Sequence, residues 1–582
     1  MAMGSAVLHV GVRGICVTSL VIALTAGSAW AQSSAAPSRQ DLELPDTPQV
    51  QSPAVDVKVD RSANFRENCP FEGSGLTTNI NNVSFVSPNG APIFEELAEA
   101  LSDISAPTGQ NPLSIVCDIR DAANNALRQK GWIATVQIPQ QELQNSLRLD
   151  VVSARISEVR IVGDTGPYRS LVEKKLSKLQ QLEPLNEKDA ERILFDINDI
   201  PGMDLRLALA PSGGQPGEVI GNLTVAYKPY AAYFNARNYN AVQTGRETGY
   251  ARLEYYGLTG LSDMTYVGLQ STVDFEEQMI AQVGHEFGIG FKNIRLGADA
   301  TLARSKPSVD SLDLEADAFL VNLRAKYPLM RTPQAIADVA IGFDYVDQAT
   351  DVGGFALSED AIRSLYLRGE LSGTNRALGA TAPIIYDTFV ELRQGINVLG
   401  ATETGVNGLA RTGDASASRP FGRADSFIAR AGANVSASLG PIIGANVRSE
   451  LQWVDNPLLN FDEYSIGNLS IGRGYDPGAN SGDRAYGAAL ELTANVVRGS
   501  RPSVQAFGFY DVVNIENLDF GTPDPKRTLA SVGGGVRVGL GSGVRAEVTY
   551  AKPLDRALFA DEEKPTDRIM FSITTKFPAT FR

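Results

Sequence analysis

From Tyr230 onward the sequence repeats one pattern: segments of roughly ten residues in which apolar and polar side chains alternate, separated by Gly, Asp, Asn, Pro and Thr. Tyr486, Ala488, Leu490, Leu492, Ala494 and Val496 alternate with Gly487, Glu491, Thr493 and Asn495. Phe427, Ala429, Ala431, Ala433 and Val435 alternate with Ser426, Arg430, Asn434 and Ser436. The last segment sets Ile569, Phe571, Ile573 and Phe577 against Arg568, Ser572, Thr574 and Lys576. A period of two puts successive side chains on opposite faces of a strand, so each segment has one apolar and one polar face. Sixteen segments can be counted, beginning near residues 230, 247, 263, 277, 293, 312, 334, 361, 388, 425, 442, 485, 502, 528, 545 and 568.

A half-buried soluble sheet also alternates, so the pattern alone does not choose its solvent. Three features do. The segments match the 9 to 11 residues that a tilted membrane-spanning strand needs. The connections alternate short and long, as in outer-membrane barrels. The N-terminus reads as an export signal: Arg13, an apolar run from Ile15 to Ala26, and the small-x-small stretch Ala29-Trp30-Ala31, with cleavage expected after Ala31. In lipid every backbone donor must be paired, and strands achieve that only in a closed barrel. The fold class expected is therefore a membrane all-β protein, a 16-stranded antiparallel transmembrane β-barrel over residues 229–582. An even count returns both barrel ends to the periplasmic side.

Ahead of the barrel the period changes. Residues 32–78 are rich in Pro, Ser and Asp and read as a periplasmic linker. Prolines at 45, 48 and 53 argue against a long plug helix there. Val83 and Phe85 then mark a strand, Phe94, Leu97, Ala98 and Leu101 a helix, and Ile119, Ala122, Ala123, Ala126 and Leu127 a second helix ended by Gly131. Strands follow at Ala134–Ile138 and Leu147–Val152. The same order repeats at once, with Asn186 capping a helix whose buried face is Ala190, Ile193, Leu194 and Ile197, and Pro201-Gly202 stopping it. Two repeats of roughly 75 residues predict two small α+β domains, 79–154 and 155–228.

Composition removes several function classes. A net charge of −15 opposes nucleic acid as a partner, since phosphate neutralisation needs clustered Lys and Arg. Past the signal His285 is the one histidine left, and its setting is that of a strand residue, so triad and histidine-metal chemistries lack their parts. No enzyme activity, cofactor or metal is expected. Gly539-Leu540-Gly541-Ser542-Gly543 has no helix after it to hold a phosphate and reads as a hairpin turn. Cys16 leaves with the signal; Cys69 and Cys117 remain in an oxidising compartment, where a disulfide is the natural reading.

The connection between the eleventh and twelfth segments, Val454 to Arg484, is unusually long and is the sixth facing outward. It holds Ile471-Gly472-Arg473-Gly474-Tyr475-Asp476 and ends in Gly482-Asp483. Together with Ile138-Pro139-Gln140-Gln141 and the closing Gly539-Leu540 and Tyr550-Ala551-Lys552-Pro553-Leu554, it resembles the two-partner-secretion transporters of the Omp85 superfamily, the hemolysin secretion/activation family. Those proteins carry Val-Arg-Gly-Tyr/Phe at the tip of the sixth loop. This chain departs from them at Gly472, and at its end, where Phe581 is followed by Arg582, so that the assembly signal is expected to end at Phe577.

The resemblance implies an outer-membrane translocator with its N-terminal domains, of POTRA type, in the periplasm. The substrate would be an unfolded, β-rich secreted partner protein, captured by strand addition and threaded through the barrel. Its other partners would be outer-membrane lipid and the barrel-assembly machinery. It also implies that Arg473, beside Gly474 and Tyr475, meets an acidic residue of the barrel wall. Asp511 is the candidate, on the polar face with Ser503 and Gln505 while Val504, Ala506, Tyr510 and Val512 face lipid. A guanidinium fork suits a carboxylate in a confined lumen. Two other readings stay open: an insertase of the same superfamily, which would carry three or five such domains, and a passive porin, which needs none.

Overall fold

The computed structural model describes residues 37–42, 57–59 and 69–577, apart from 144, 290–293, 310–311, 333, 376–382, 406–407, 468–469, 498–501, 523 and 542. The expected signal and the C-terminal Phe581-Arg582 lie outside these. The described chain opens with a one-turn helix, α1 (Arg39–Leu42), and a short strand, β1 (Val57–Val59).

Two small α+β units follow. The first runs β2 (Asn82–Val86), α2 (Glu95–Leu101), α3 (Ile115–Gln129), β3 (Ala134–Gln137) and β4 (Ser146–Ser153), with sheet order β2-β4-β3. Leu97, Leu101, Ile119, Ala123 and Leu127 are buried against Val136, Leu147 and Leu149. Cys69 is bonded to Cys117 of α3, with an S–S distance of 2.00 Å and Cα atoms 5.8 Å apart.

The second unit runs β5 (Arg155–Gly163), α4 (Arg169–Leu179), α5 (Glu187–Asn198), β6 (Met203–Pro211) and β7 (Glu218–Tyr227). Asn186 caps α5 by accepting from the Lys188 amide at 2.9 Å. The sheet order is β1-β6-β7-β5, so β1 occupies one edge of this sheet, parallel to β6. The unit docks on the barrel floor. Tyr227 donates its hydroxyl to the Tyr256 carbonyl at 2.6 Å, and Arg331 reaches Asp199 at 2.9 Å.

Sixteen antiparallel strands close the barrel. They are β8 (Tyr230–Arg237), β9 (Thr248–Tyr256), β10 (Met264–Thr272), β11 (Gln278–Ile289), β12 (Ile294–Ser305), β13 (Leu312–Arg331), β14 (Ala335–Val352) and β15 (Phe355–Asn375). The second half comprises β16 (Ile384–Gly395), β17 (Phe427–Ser438), β18 (Ile443–Val454), β19 (Arg484–Val497), β20 (Ser503–Glu516), β21 (Lys526–Leu540), β22 (Val544–Pro553) and β23 (Arg568–Phe577). β23 returns to pair with β8, Ala232 opposite Phe577. Along β19, Tyr486, Leu490 and Leu492 are exposed on the outer face while Ala485, Ala489 and Glu491 are buried on the inner one, which is the alternation read in the sequence.

Two features depart from that reading. β13, β14 and β15 are 20, 18 and 21 residues long, about twice a spanning length, so their hairpin continues past the bilayer on the outer side. The turn between β14 and β15 is Gly353-Gly354, both at positive φ, and it moves the eighth strand back to Phe355. The second departure concerns the stretch read as a linker. Its residues 37–42 are not in the periplasm but inside the barrel, where Leu42 joins Ile280, Val346, Ile362 and Phe461 in one apolar cluster. Gln348 donates to the Pro37 carbonyl at 2.9 Å and Gln282 to that of Leu42 at 3.1 Å. The prolines at 45, 48 and 53 all follow α1, so they limit its length without preventing it.

Candidate functional site: the sixth-loop tip and the occupied lumen

The loop joining β18 to β19, loop 6, folds back into the barrel because its own side chains bury well there. Tyr464, Ile466, Ile471 and Tyr475 pack with Ala485, Val513, Ile515 and Leu529 of β19, β20 and β21. Gly472 has φ +114°, a conformation that L side chains rarely adopt, so the departure from valine here accompanies a turn that suits glycine. Gly474 lies so close to the wall that a Cβ would stand 2.7 Å from Ser531 Cβ and 2.8 Å from the Pro553 nitrogen. No larger residue permits this approach.

That approach brings Arg473 and Asp511 together. Asp511 Oδ2 accepts from the Arg473 amide at 2.9 Å and from Nε at 3.0 Å, and Oδ1 accepts from Nη2 at 2.7 Å. The Asp511 side chain is 1% exposed. The remaining guanidinium nitrogen, Nη1, donates to Glu491 at 2.8 Å, and the group lies 3.6 Å above the Phe509 ring. Glu491 is shared with Arg537, which continues to Glu547 at 2.7 Å and covers Phe507. The wall therefore holds an alternating ladder, Asp511–Arg473–Glu491–Arg537–Glu547, backed by aromatic rings. Every member has an opposite charge, which is what a poorly solvated lumen requires.

Tyr475, fully buried, donates its hydroxyl toward the carbonyls of Ala530 (2.9 Å) and Asp555 (3.2 Å) and accepts from the Asp555 amide at 3.1 Å. Arg568 donates to the Tyr475 carbonyl and meets Asp476 at 3.0 Å, as does Arg246. The tip is thus held by side chains of β19, β20 and β23 and by backbone of β21 and of the loop after β22.

Sequence reasoning missed a second set. Arg39 of α1 reaches Asp344 of β14 at 3.3 Å and Asp462 of loop 6 at 2.9 Å, and stacks on Phe461 at 4.7 Å. Asp344 also accepts from Arg393 at 2.5 Å. α1 therefore sits in the lumen, and one arginine ties it both to the wall and to loop 6. Below it, a cavity of about 790 Å³ opens between α4 and the barrel, lined by Lys174, Lys175 and Lys178 on one side and Glu286, Asp299 and Arg324 on the other. Burial lowers the Lys175 ammonium, against the pull of Asp196 and Asp199. Among the described residues no cluster suited to a metal ion is present, and no helix is long and apolar enough to cross a membrane.

A family model, haemolysin secretion/activation protein ShlB/FhaC/HecB, matches residues 222–538 of the 582. The chain belongs to the haemolysin secretion/activation family. Members are two-partner-secretion transporters of the outer membrane, and this chain is such a translocator. Among solved structures it is similar to CdiB from Escherichia coli, at 15% identity and TM-score 0.67, covering 99% of this chain and 100% of that one. It is also similar to CdiB from Acinetobacter baumannii, at 15% identity and TM-score 0.59, covering 98% and 100%. BamA from Haemophilus ducreyi lacking POTRA domains 1–3 matches at 12% identity and TM-score 0.51, covering 86% and 100%. These likenesses concern the fold. No curated protein matches by sequence.

Proposed function

We propose that this translocator takes an unfolded, β-rich secreted partner protein from the periplasm and passes it through the lumen in which α1 sits. The observation that carries the reading is Arg39, held at once by Asp344 and Asp462. A chain crossing this barrel must displace α1, and displacing it takes one guanidinium from both carboxylates, leaving Asp344 to Arg393 and Asp462 to Arg430. Cargo would first engage the two small units, which act as POTRA-type domains. Strand addition to a sheet edge supports this, because backbone hydrogen bonds give affinity without demanding one sequence. In the second unit one edge is already taken by β1. In the first, Asn124 uses its carboxamide on both the amide and the carbonyl of Val136, which blunts the β3 edge. β2 of the first unit is the edge assigned to cargo, with β5, the other edge of the second unit, as the second candidate. From there the cationic face of α4 leads to the cavity beneath the lumen. Arg473 and Asp511 would hold loop 6 in its inward position throughout transport. Membrane lipid against the outer face, and an assembly machinery that inserts the barrel, complete the partners.

The test is co-expression with the protein encoded beside it, measuring cargo in the medium against barrel abundance in outer membranes. Cargo should cross with the intact chain and stay behind when β2 carries a proline at Ser84. Undiminished secretion by that variant would overturn the β2 assignment.

A further inference from the structure

The loop-6 tip is not the only place where an arginine fork closes on a buried aspartate. Arg419 lies on loop 5 (residues 396–426), and Asp483 is the last residue before β19; both are buried, Asp483 completely. Arg419 Nη1 donates to Asp483 Oδ1 at 2.6 Å and Nη2 to Oδ2 at 3.2 Å. The same guanidinium meets Glu463 at 2.9 Å and donates to the Leu458 carbonyl at 2.8 Å, both on loop 6. It also meets Asp519 at 2.8 Å and Asn517 at 3.0 Å, on the loop joining β20 to β21, loop 7.

Asp483 answers with backbone. It accepts from the Leu458 amide at 2.7 Å and from the Leu518 amide at 2.6 Å. One ion pair therefore gathers loop 5, both ends of loop 6, and loop 7. Around it the loops are sewn further: the Asn460 amide donates to Ser418 Oγ at 3.1 Å, and the Arg423 amide to the Pro457 carbonyl at 2.9 Å. Ala410, Ala417 and Ala424 of loop 5 pack with Leu459 and Phe461 of loop 6 in the cluster that holds Leu42. Among the described residues, none of the hydrogen bonds of Arg419 and Asp483 involves Arg473 or Asp511.

We propose that Arg419 and Asp483 are positioning residues that fasten loops 5, 6 and 7 into one outer gate across the lumen, acting apart from the Arg473 tip pair. A carboxylate that takes two backbone amides and a guanidinium fork is satisfied only in the assembled state. Removing Arg419 strands the buried Asp483 carboxylate, and removing Asp483 unties the Leu458 and Leu518 amides while Arg419 keeps Glu463 and Asp519; either loosens the three loops together. Loop 5 is thereby a working part of the gate and not a surface connection. The inference does not depend on how cargo is captured, because its readout needs no cargo.

The experiment is ion conductance of purified barrels in planar bilayers, with heat-modifiable gel mobility reporting a closed, folded barrel. Arg419→Ala and Asp483→Asn should each raise conductance several-fold over wild type. Arg419→Lys, which keeps the charge and loses the fork, should rise less and serves where the others fail to fold. A cysteine pair, Ser418→Cys with Asn460→Cys, should form a bridge between loops 5 and 6. In the Arg419→Ala background, oxidising that pair should return conductance toward wild type and reductant should release it. Wild-type barrel under the same reductant controls for the Cys69–Cys117 bridge. Folded Arg419 and Asp483 variants that conduct as wild type would overturn the proposal. So would a raised conductance that the bridge leaves unchanged.

Discussion

Asp511 accepts three hydrogen bonds from Arg473, two from the guanidinium and one from the backbone amide. The two residues are therefore unequal partners. Arg473→Ala keeps the amide bond and leaves the buried Asp511 carboxylate without its guanidinium, while Glu491 keeps Arg537. Asp511→Ala loses all three bonds, so it should impair secretion more. Breaking a buried pair from one side costs about 3 to 5 kcal/mol. The double variant should be little worse than Asp511→Ala alone, since the two act as a unit. Arg473→Lys should also fail, because an ammonium lacks the fork that spans Asp511 and Glu491. Cargo in the medium, scaled to barrel in the membrane, measures each; fully additive losses would remove the pair from the mechanism.

Arg39 is the one described side chain of α1 that pairs with both Asp344 and Asp462. Arg39→Ala should loosen α1, so that purified barrels conduct more and the membrane admits bulky antibiotics. Asp344 keeps Arg393, so the barrel wall should stay folded. Unchanged conductance in folded Arg39→Ala barrels would show that the apolar contacts of Leu42 hold α1 by themselves.

Much of this was legible in the sequence, for reasons that also explain the rest. A period of two survives in every strand because lipid and lumen demand opposite side chains, so strand starts such as Tyr230, Leu312 and Arg568 could be read directly. The rhythm blurs where the register shifts between Pro328 and Met330, and where β15 runs beyond lipid. Arg473 was marked by the glycines and tyrosine around it. Glu491 sits on the same wall with no local mark beyond its face. Arg39 stands in a Pro- and Ser-rich stretch, and its partners lie hundreds of residues away. Arg419 and Asp483 belong to loops, which have no period. Their meaning exists only when three loops meet.

The Cys69–Cys117 bridge ties the chain before β2 to α3 across a separation of 48 residues. Closing a loop of that size stabilises by about 3 to 4 kcal/mol in the chain-entropy account. Cys117→Ser should lower the unfolding midpoint of the first small unit and leave the barrel's heat-modifiable mobility unchanged. Thiol labelling of denatured, unreduced protein should find no free thiol in the exported chain. Two labelled cysteines would sink the assignment.

Deleting residues 79–228 should leave a barrel that inserts and secretes nothing. The barrel closes through β8 and β23 without help from the small units, whereas capture is assigned to them. Persistent secretion by the truncated chain would move the receptor elsewhere, to the barrel or its loops.

Gly474 gives a test of the tip that removes no charge. A methyl group there would stand 2.7 Å from Ser531 Cβ, 2.8 Å from the Pro553 nitrogen and 3.1 Å from the Lys552 carbonyl carbon. Two of those three atoms are backbone of β22, which is paired to β21 through Ser531 and Pro553 and cannot retreat without breaking the barrel ladder. The tip must retreat instead. Asp511 holds the Arg473 amide directly, so a shift of even about 1 Å takes all three bonds out of hydrogen-bond range. Gly474→Ala should therefore reproduce the secretion loss of Asp511→Ala with every charged group intact. Combining it with Ser531→Gly removes the 2.7 Å contact but neither backbone contact, so recovery should be partial. Secretion relative to barrel abundance decides the matter: a Gly474→Ala chain that secretes normally would mean that the tip has room to move without leaving Asp511.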